Sequence, residues 1–387
     1  MATVNNNTPT LRFPEFKEEW ENTKLGKVAK FSKGKGISKS EISEYGINEC
    51  IRYGELYTRY GEVIQDVFSK TNADINKSVV SEANDVIIPA SGETQIDIAT
   101  ASCVMKSGVI LGGDLNIIKT NKNGVFLSYY LNSKRKLDIA NLAQGISVVH
   151  LYSSQLALLN LNFPTLPEQQ KIATFLTAVD EKLQASKQKK SLLEQYKKGV
   201  IQKIFSQELQ FKDDNGNAFA DWEHKKLGDI AKITTGSSNR VDSNLDGEFT
   251  FFDRSQDIRS SNRFLFDAEA IIVPGEGQEF IPKHFIGKFD LHQRTYAIMN
   301  FENQNGKFLY YSISFNSNHL NSHAVGSTVK SLRLPMFEKM PVGLPCLEEQ
   351  TKIATFLSTI DEKINQCQAQ ITNTEVWKKG LLQRMFV

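Results

Sequence analysis

The sequence predicts an α+β protein in which two mixed α/β bodies are separated by two long helices. The helices pair as an antiparallel coiled coil, and an internal pseudo-two-fold repeat relates the halves. Three observations lead to this reading. One segment occurs twice, both copies carry a 4-3 spacing of apolar residues, and the rest consists of short apolar runs punctuated by glycine.

The repeat comes first. Residues 172–183 read IATFLTAVDEKL and residues 353–364 read IATFLSTIDEKI, with eight of twelve positions identical. At the same offset of 181, Glu168-Gln169 faces Glu349-Gln350, Lys197-Lys198-Gly199 faces Lys378-Lys379-Gly380, and Phe205 faces Phe386. A second offset of 202 aligns Trp20, Lys24-Leu25-Gly26 and Arg52 with Trp222, Lys226-Leu227-Gly228 and Arg254. The 21 residues between the two offsets are a net deletion inside the second copy. The expected organisation is a first body over 1–160, a first helix over 161–207, a second body over 208–340 and a second helix over 341–387.

The helices follow from periodicity. Ile172, Leu176, Val179, Leu183, Leu193, Val200 and Ile204 lie on one seam, as do Ile353, Leu357, Ile360, Ile364, Cys367, Ile371, Leu381 and Met385. Such a heptad seam packs lengthwise against another helix. Pro167 and Pro345 stand where a helix begins, and no further proline or glycine intrudes until Gly199 and Gly380. Each helix should run for roughly 38 residues, or about 57 Å. Ser186, Lys190 and Thr374 are polar seam positions of the kind that fix register. Lys182, Lys187, Lys189, Lys190, Lys197 and Lys198 form a lysine-rich outer face, read as solvated in preference to phosphate-binding. Two core helices in separate domains would be the plainer alternative, but that leaves their length and identity unexplained.

The bodies are read from buried-strand runs such as Asp85-Val-Ile-Ile-Pro89 and Ala270-Ile-Ile-Val-Pro274, with short helices near 126–137 and 308–317. Asp213-Asp-Asn-Gly-Asn217 resembles a calcium loop but lacks its distal glutamate, so it reads as a polar turn. Leu11-Arg-Phe13 matches Leu209-Gln-Phe211, which follows the first helix, so the two chain ends are expected to lie close together.

Composition narrows the function. With 46 Lys plus Arg against 44 Asp plus Glu, a histone-like mode of DNA binding is excluded, although local cationic patches are not. No run of eighteen apolar residues offers a membrane span. The N-terminus lacks a signal-peptide pattern, and four scattered cysteines suggest neither disulfides nor zinc, so a cytoplasmic protein is expected. Phosphate-loop, dinucleotide, HExxH, GxSxG, NPPY or DPPY and nuclease motifs are all missing, so the chain itself is expected to be neither an enzyme nor a cofactor binder.

The bodies instead carry planar polar and aromatic side chains suited to DNA. In the first these are Lys33, Lys35, Arg52, Tyr53, Tyr57, Arg59 and Tyr60; in the second, Arg240, Arg254, Arg259, Arg263, Gln278, Lys283, His284, His292 and Arg294. Arginine grips guanine edges or phosphates bidentately, Gln suits adenine, and aromatic rings stack. Taken singly, each also reads as a solvated surface residue. Arg52 and Arg254 hold equivalent places, which fits a shared DNA contact and a shared ion pair equally well.

These features together resemble the specificity subunit of type I restriction–modification systems. The resemblance rests on LPEQQKIATFL (166–176) and LEEQTKIATFL (347–357), the Leu-Gly near each body's start, and the SGE (91–93) and PGEG (274–277) loops, and it spans the whole chain. It implies that each body is a target recognition domain reading one half of an asymmetric bipartite double-stranded DNA site, with the helices as the ruler. It also implies two methylation subunits that use S-adenosylmethionine and restriction subunits that use ATP and Mg2+, with no cofactor and no membrane contact for this chain. Two other classes stay open from the residues alone: a coiled-coil adaptor whose bodies bind proteins, and a stand-alone DNA-modifying enzyme.

Overall fold

Both duplicated segments are helical, over Leu166–Phe205 and Leu347–Arg384. The structure is a computed structural model that describes residues 7–145 and 147–387. It divides into a first unit, reaching Lys187 and including Ala369–Val387, and a second unit, Gln188–Gln368. Each unit takes half of each long helix, so neither is encoded by one continuous repeat.

The helix halves run antiparallel within each unit. In the first, Asp180 meets Lys378 at 2.7 Å and Lys187 meets Glu375 at 2.7 Å, so one helix ascends as the other descends. In the second, Val200 and Ile204 share a core with Ile353 and Leu357. Ile172, Leu176, Ile353 and Leu357 are all buried to 2 % exposure or less, and each such apolar side chain contributes about 1.5–3 kcal/mol. The polar seam residues Ser186 and Thr374 are buried as well, their hydroxyls donating to Lys182 and Gln370 carbonyls at 2.9 and 2.7 Å.

One expectation about this seam is corrected. Lys197 does not lie on a solvated outer face. It falls on the same 4-3 seam, as does Lys378, and the two are only 21 and 17 % exposed at the side chain. Each is tolerated because a carboxylate from the facing helix neutralises it, Asp361 for Lys197 and Asp180 for Lys378.

Each body begins and ends in a two-stranded antiparallel clip. Glu21–Lys24 pairs with Asn160–Phe163, and Glu223–Lys226 pairs with Pro341–Leu344. The chain therefore leaves each body beside its entry point, at the start of a long helix.

The main sheet of the first unit orders Ala29–Lys33, Leu115–Thr120, Asp85–Pro89, Ser102–Val104 and Val63–Ile64, beside a smaller sheet of Ser69–Thr71, Asn48–Ile51 and Ile110–Leu111. That of the second orders Lys232–Thr235, Thr295–Met299, Phe266–Pro274, Lys283–Leu291, Phe249–Phe252 and Ile258–Ser261. The central strands carry apolar runs, Val86–Ile88 and Ala270–Val273, because both faces are covered there. Val86 and Ile88 face the helix side while Ile87 faces a second cluster, and Ile271 and Val273 alternate likewise with Ala270 and Ile272.

A short helix in each body, Gly124–Ser133 or Gly306–Phe315, joins the body to its long helix. The Asn123 and Asn305 side chains cap these helices. Their backbone N–H groups donate to Gln169 and Gln350 at 3.0 Å, and those glutamines donate in turn to the Pro164 and Pro345 carbonyls at 2.7 and 2.8 Å. The duplicated Glu-Gln of the long helices is thus a joint between body and rod. The 213–217 segment is a polar turn, with Asp213 accepting from the backbones of Asn215 and Asn217 at 2.9 and 2.7 Å. As the repeat predicts, Leu11 N–H donates to the Arg384 carbonyl at 2.9 Å.

Candidate nucleic-acid interface

In the first unit, Arg52, Tyr53, Tyr57 and Arg59 border a cleft of about 970 Å³. Tyr57 lies on the Glu55–Thr58 helix and Arg59 closes its C-terminus, and the buried Leu56 pins that helix to the core. Lys39 adds a third cation to the lining, while Glu41, Glu55, Glu93 and Asp114 contribute four carboxylates. A surface so balanced does not hold phosphates by charge alone. Its alternating donors and acceptors suit the edges of bases.

The other residues singled out in this unit have different settings. Lys33 is exposed, with its ammonium 5.9 Å from the Tyr152 ring, and Lys35 donates to the Lys77 carbonyl at 2.7 Å. Tyr60 stacks on Phe68 at 5.4 Å and accepts from its backbone N–H, so it supports the body from within.

In the second unit, Arg240, Asp253, Arg254, Glu276 and His292 line a depression of about 270 Å³. Glu276 lies on the 274–277 loop and is held between two arginines. Arg254 Nη1 donates to Oε2 at 2.6 Å, and Arg294 Nη1 donates to Oε1. Burial would raise this carboxyl, but the two guanidinium groups hold it below the usual carboxylate range. Asp253, 4 % exposed at the side chain, similarly gathers Arg259 at 3.4 Å and Arg240 at 3.8 Å; burial would raise it, but the Ser255 hydroxyl and backbone N–H, and then these arginines, hold it below its usual range. His292 is kept below the ordinary histidine range first by burial and then by Arg254, and its Nδ1 accepts from the Arg294 backbone. The charges of this site are those of its arginines and of the two carboxylates between them.

Four predicted residues of this unit stand elsewhere. Arg263 is anchored at one end, donating to Ser238 Oγ at 2.6 Å and to the buried Asp290 at 3.4 Å, while its side chain stays half-exposed. His284 is half-buried against Glu269 at 2.8 Å, and Lys283 donates to the Ser255 carbonyl at 3.0 Å. Gln278 is exposed on the loop beyond Glu276.

The equivalence of Arg52 and Arg254 is one of sequence place but not of partner. Arg52 meets the local Glu55 at 3.4 Å, and Glu55 also accepts from the Arg52 backbone at 2.9 Å and from Ser69. Arg254 reaches across to Glu276, and its side chain keeps 46 % exposure.

Sequence reasoning missed the pseudo-symmetric triads beside the rods. Tyr129 donates to Asp180, which binds Lys378; Tyr311 donates to Asp361, which binds Lys197. Burial pushes both phenols above the usual tyrosine range. The signal was present in the pattern NGxFLxY, found at 123–129 and again at 305–311. Among the described residues, no group of His, Cys, Asp and Glu could hold a metal, and no helix is long and apolar enough to cross a membrane.

Comparison with known proteins agrees with this architecture. The model of the type I restriction modification DNA specificity domain matches residues 17–195 and again 220–374. The chain is 30% identical over 156 residues to the EcoDI specificity subunit of Escherichia coli, a match covering 40% of this chain and 35% of that subunit. It is 23% identical over 409 aligned positions to the MjaVIII specificity subunit of Methanocaldococcus jannaschii, covering 96% and 92% of the two chains. In fold it is similar to the S subunit from M. genitalium, with a TM-score of 0.71, 16% identity and coverage of 98% and 99%. It is also similar to a chain from a structure of type I R-M complex assembly and conformational transition, with a TM-score of 0.54, 15% identity and coverage of 96% and 98%.

Proposed function

Since the chain belongs to the type I restriction–modification DNA specificity family and is a specificity subunit, we propose that each body reads one half of a split, asymmetric site in double-stranded DNA. The observation that carries this reading is the pairing of identical joints with unlike faces. Asn123–Gln169 and Asn305–Gln350 attach the two bodies in the same way, whereas Arg52 keeps to the local Glu55 beside Tyr57 and Arg59 on one, and its equivalent Arg254 joins Arg294 around Glu276 on the other.

In the second body Glu276 orients two guanidinium forks. Arginine in such a setting donates bidentately to a guanine edge, and Glu276 accepts from a cytosine amino group. In the first body Arg52 and Arg59 donate while Tyr53 and Tyr57 contact sugars or stack. Lys33, Lys35, Gln278 and Lys283 approach the backbone at the margins. Arg259, Arg263 and His284 act by holding neighbouring side chains in place.

The paired rods serve as the docking surface for two methylation subunits and for restriction subunits. Those partners carry the S-adenosylmethionine, ATP and Mg2+ chemistry in the cytoplasm. The chain itself contributes recognition and no reaction step.

Mapping methylated adenines after replacing residues 220–340 with the equivalent body of a relative tests this. One half of the recognised sequence should change while the other half and the spacer stay fixed. A complex that methylates the original site, or no bipartite site at all, overturns the reading.

A further inference from the structure

The two copies of the repeat treat one buried carboxylate differently. In the first unit Glu168, 1 % exposed, is neutralised by Arg12, whose Nε and Nη2 donate to its two oxygens at 2.7 and 2.8 Å. The Trp20 indole nitrogen stands 3.4 Å from the same carboxylate. The equivalent residue in the second unit is Glu349, 3 % exposed.

The residue equivalent to Arg12 is Gln210, and the backbone leaves no doubt about the match. Leu11 N–H donates to the Arg384 carbonyl as Leu209 N–H donates to the Lys203 carbonyl, both at 2.9 Å. Phe13 meets Phe175 edge-on as Phe211 meets Phe356, with ring centres 5.7 Å apart in each pair. Only the guanidinium is gone.

Glu349 is left incompletely satisfied. The Trp222 side chain and the Phe211 backbone hydrogen-bond to it, yet among the described residues no group donates to Oε2. Burial outweighs those bonds and pushes the carboxyl above its usual range. A cavity of about 120 Å³ adjoins this residue, with Gln210, Phe211 and Trp222 also in its lining. Its charged lining is Glu349 and Asp221, with no Lys, Arg or His. The volume equals about four waters at roughly 30 Å³ each, room for one planar cation. A buried carboxylate with a free lone pair is costly, and a guanidinium fork matches it in charge and in shape.

We propose that this pocket is a binding site for a guanidinium group, the chemical class that Arg12 supplies from within in the other unit. Its N–H groups meet Glu349, with Trp222 and Phe211 beside it. Two sources share that chemistry: an arginine side chain on a partner protein, and a small free guanidinium compound.

The experiment uses the full chain labelled with 5-fluorotryptophan, its Trp222 resonance assigned through Trp222→Phe, and methylguanidinium as the probe. The Trp222 signal should shift saturably. Methylammonium, or the Glu349→Gln chain, should bind at least about tenfold more weakly, the loss expected for a charge-assisted bidentate contact. Gln210→Arg supplies an internal guanidinium, so it should abolish the response and raise the unfolding midpoint. The absence of a saturable shift in the unaltered chain overturns the proposal. So does an undiminished response in Glu349→Gln or in Gln210→Arg. Repeating the titration with methylation subunits bound separates the sources: the response disappears if a partner arginine fills the pocket and persists if the ligand is a small molecule.

Discussion

The lysines in the helix seam make a quantitative comparison available, because the two units neutralise them to different extents. Lys378 has two carboxylates, Asp180 at 2.7 Å and Glu62 at 3.1 Å. Burial pulls its ammonium down, and Glu62 and Asp180 more than compensate, holding it above the ordinary lysine range. Lys197 has Asp361 and lies 5.3 Å from the centre of the Tyr311 ring. Asp361→Ala therefore strands a largely buried cation and removes the acceptor of Tyr311. Breaking a buried pair from one side costs about 3–5 kcal/mol, and the 21 % exposure of Lys197 places this case near 3. Asp180→Ala leaves Lys378 bound to Glu62 and Tyr129 hydrogen-bonded to Thr177, so the loss should be nearer about 2 kcal/mol, within the range of one charged hydrogen bond. Adding Lys197→Met to Asp361→Ala should recover most of the deficit, with a coupling of about 1–3 kcal/mol. Urea unfolding followed by tryptophan fluorescence reads both units, since Trp20 lies in the first and Trp222 in the second. An Asp180→Ala chain as unstable as Asp361→Ala, or a double variant no better than the single one, would refute the reasoning.

Three further outcomes are expected. Gln169→Ala and Gln350→Ala should each cost about 2–3 kcal/mol in thermal unfolding, because each strands a backbone N–H and a proline carbonyl at a buried joint. Arg52→Met should destabilise the first unit by about 2 kcal/mol by leaving the buried Glu55 without its cation, whereas Arg254→Met should alter stability by under about 1 kcal/mol and weaken DNA binding by about 1–3 kcal/mol. The third concerns pH. The folded Glu349 carboxyl keeps its proton to higher pH than the unfolded group at 4.5. The folded state then binds more protons, so stability falls as pH rises from the ordinary carboxylate value through the raised one. Urea midpoints measured across that window should show a decline that Glu349→Gln removes, and an unchanged slope would count against it.

The rods were legible because a heptad seam is a local pattern that one sequence displays in full. Ile172 and Leu357 lie in the core where spacing put them. Lys197 escaped the same reading because its charge marked it as solvent-facing, and its place in the seam depends on Asp361, 164 residues away in sequence. The joint between Asn123 and Gln169 spans 46 positions and was equally invisible by local periodicity, although the recurrence of NGxFLxY pointed towards it. The candidate DNA-reading residues were the least legible. Arg254, Arg263 and Arg294 are alike as letters, and only long-range pairing distinguishes the one that reaches buried Asp290 from the two that share Glu276.

The bond from Leu11 to Arg384 reproduces between distant parts of the chain what Leu209 and Lys203 achieve along continuous backbone. The same contact therefore forms whether or not the backbone is continuous between its two partners. A gene rearranged to open at Asn215, inside the exposed polar turn, with a short linker spanning the former gap, should encode the same pair of units with every joint intact.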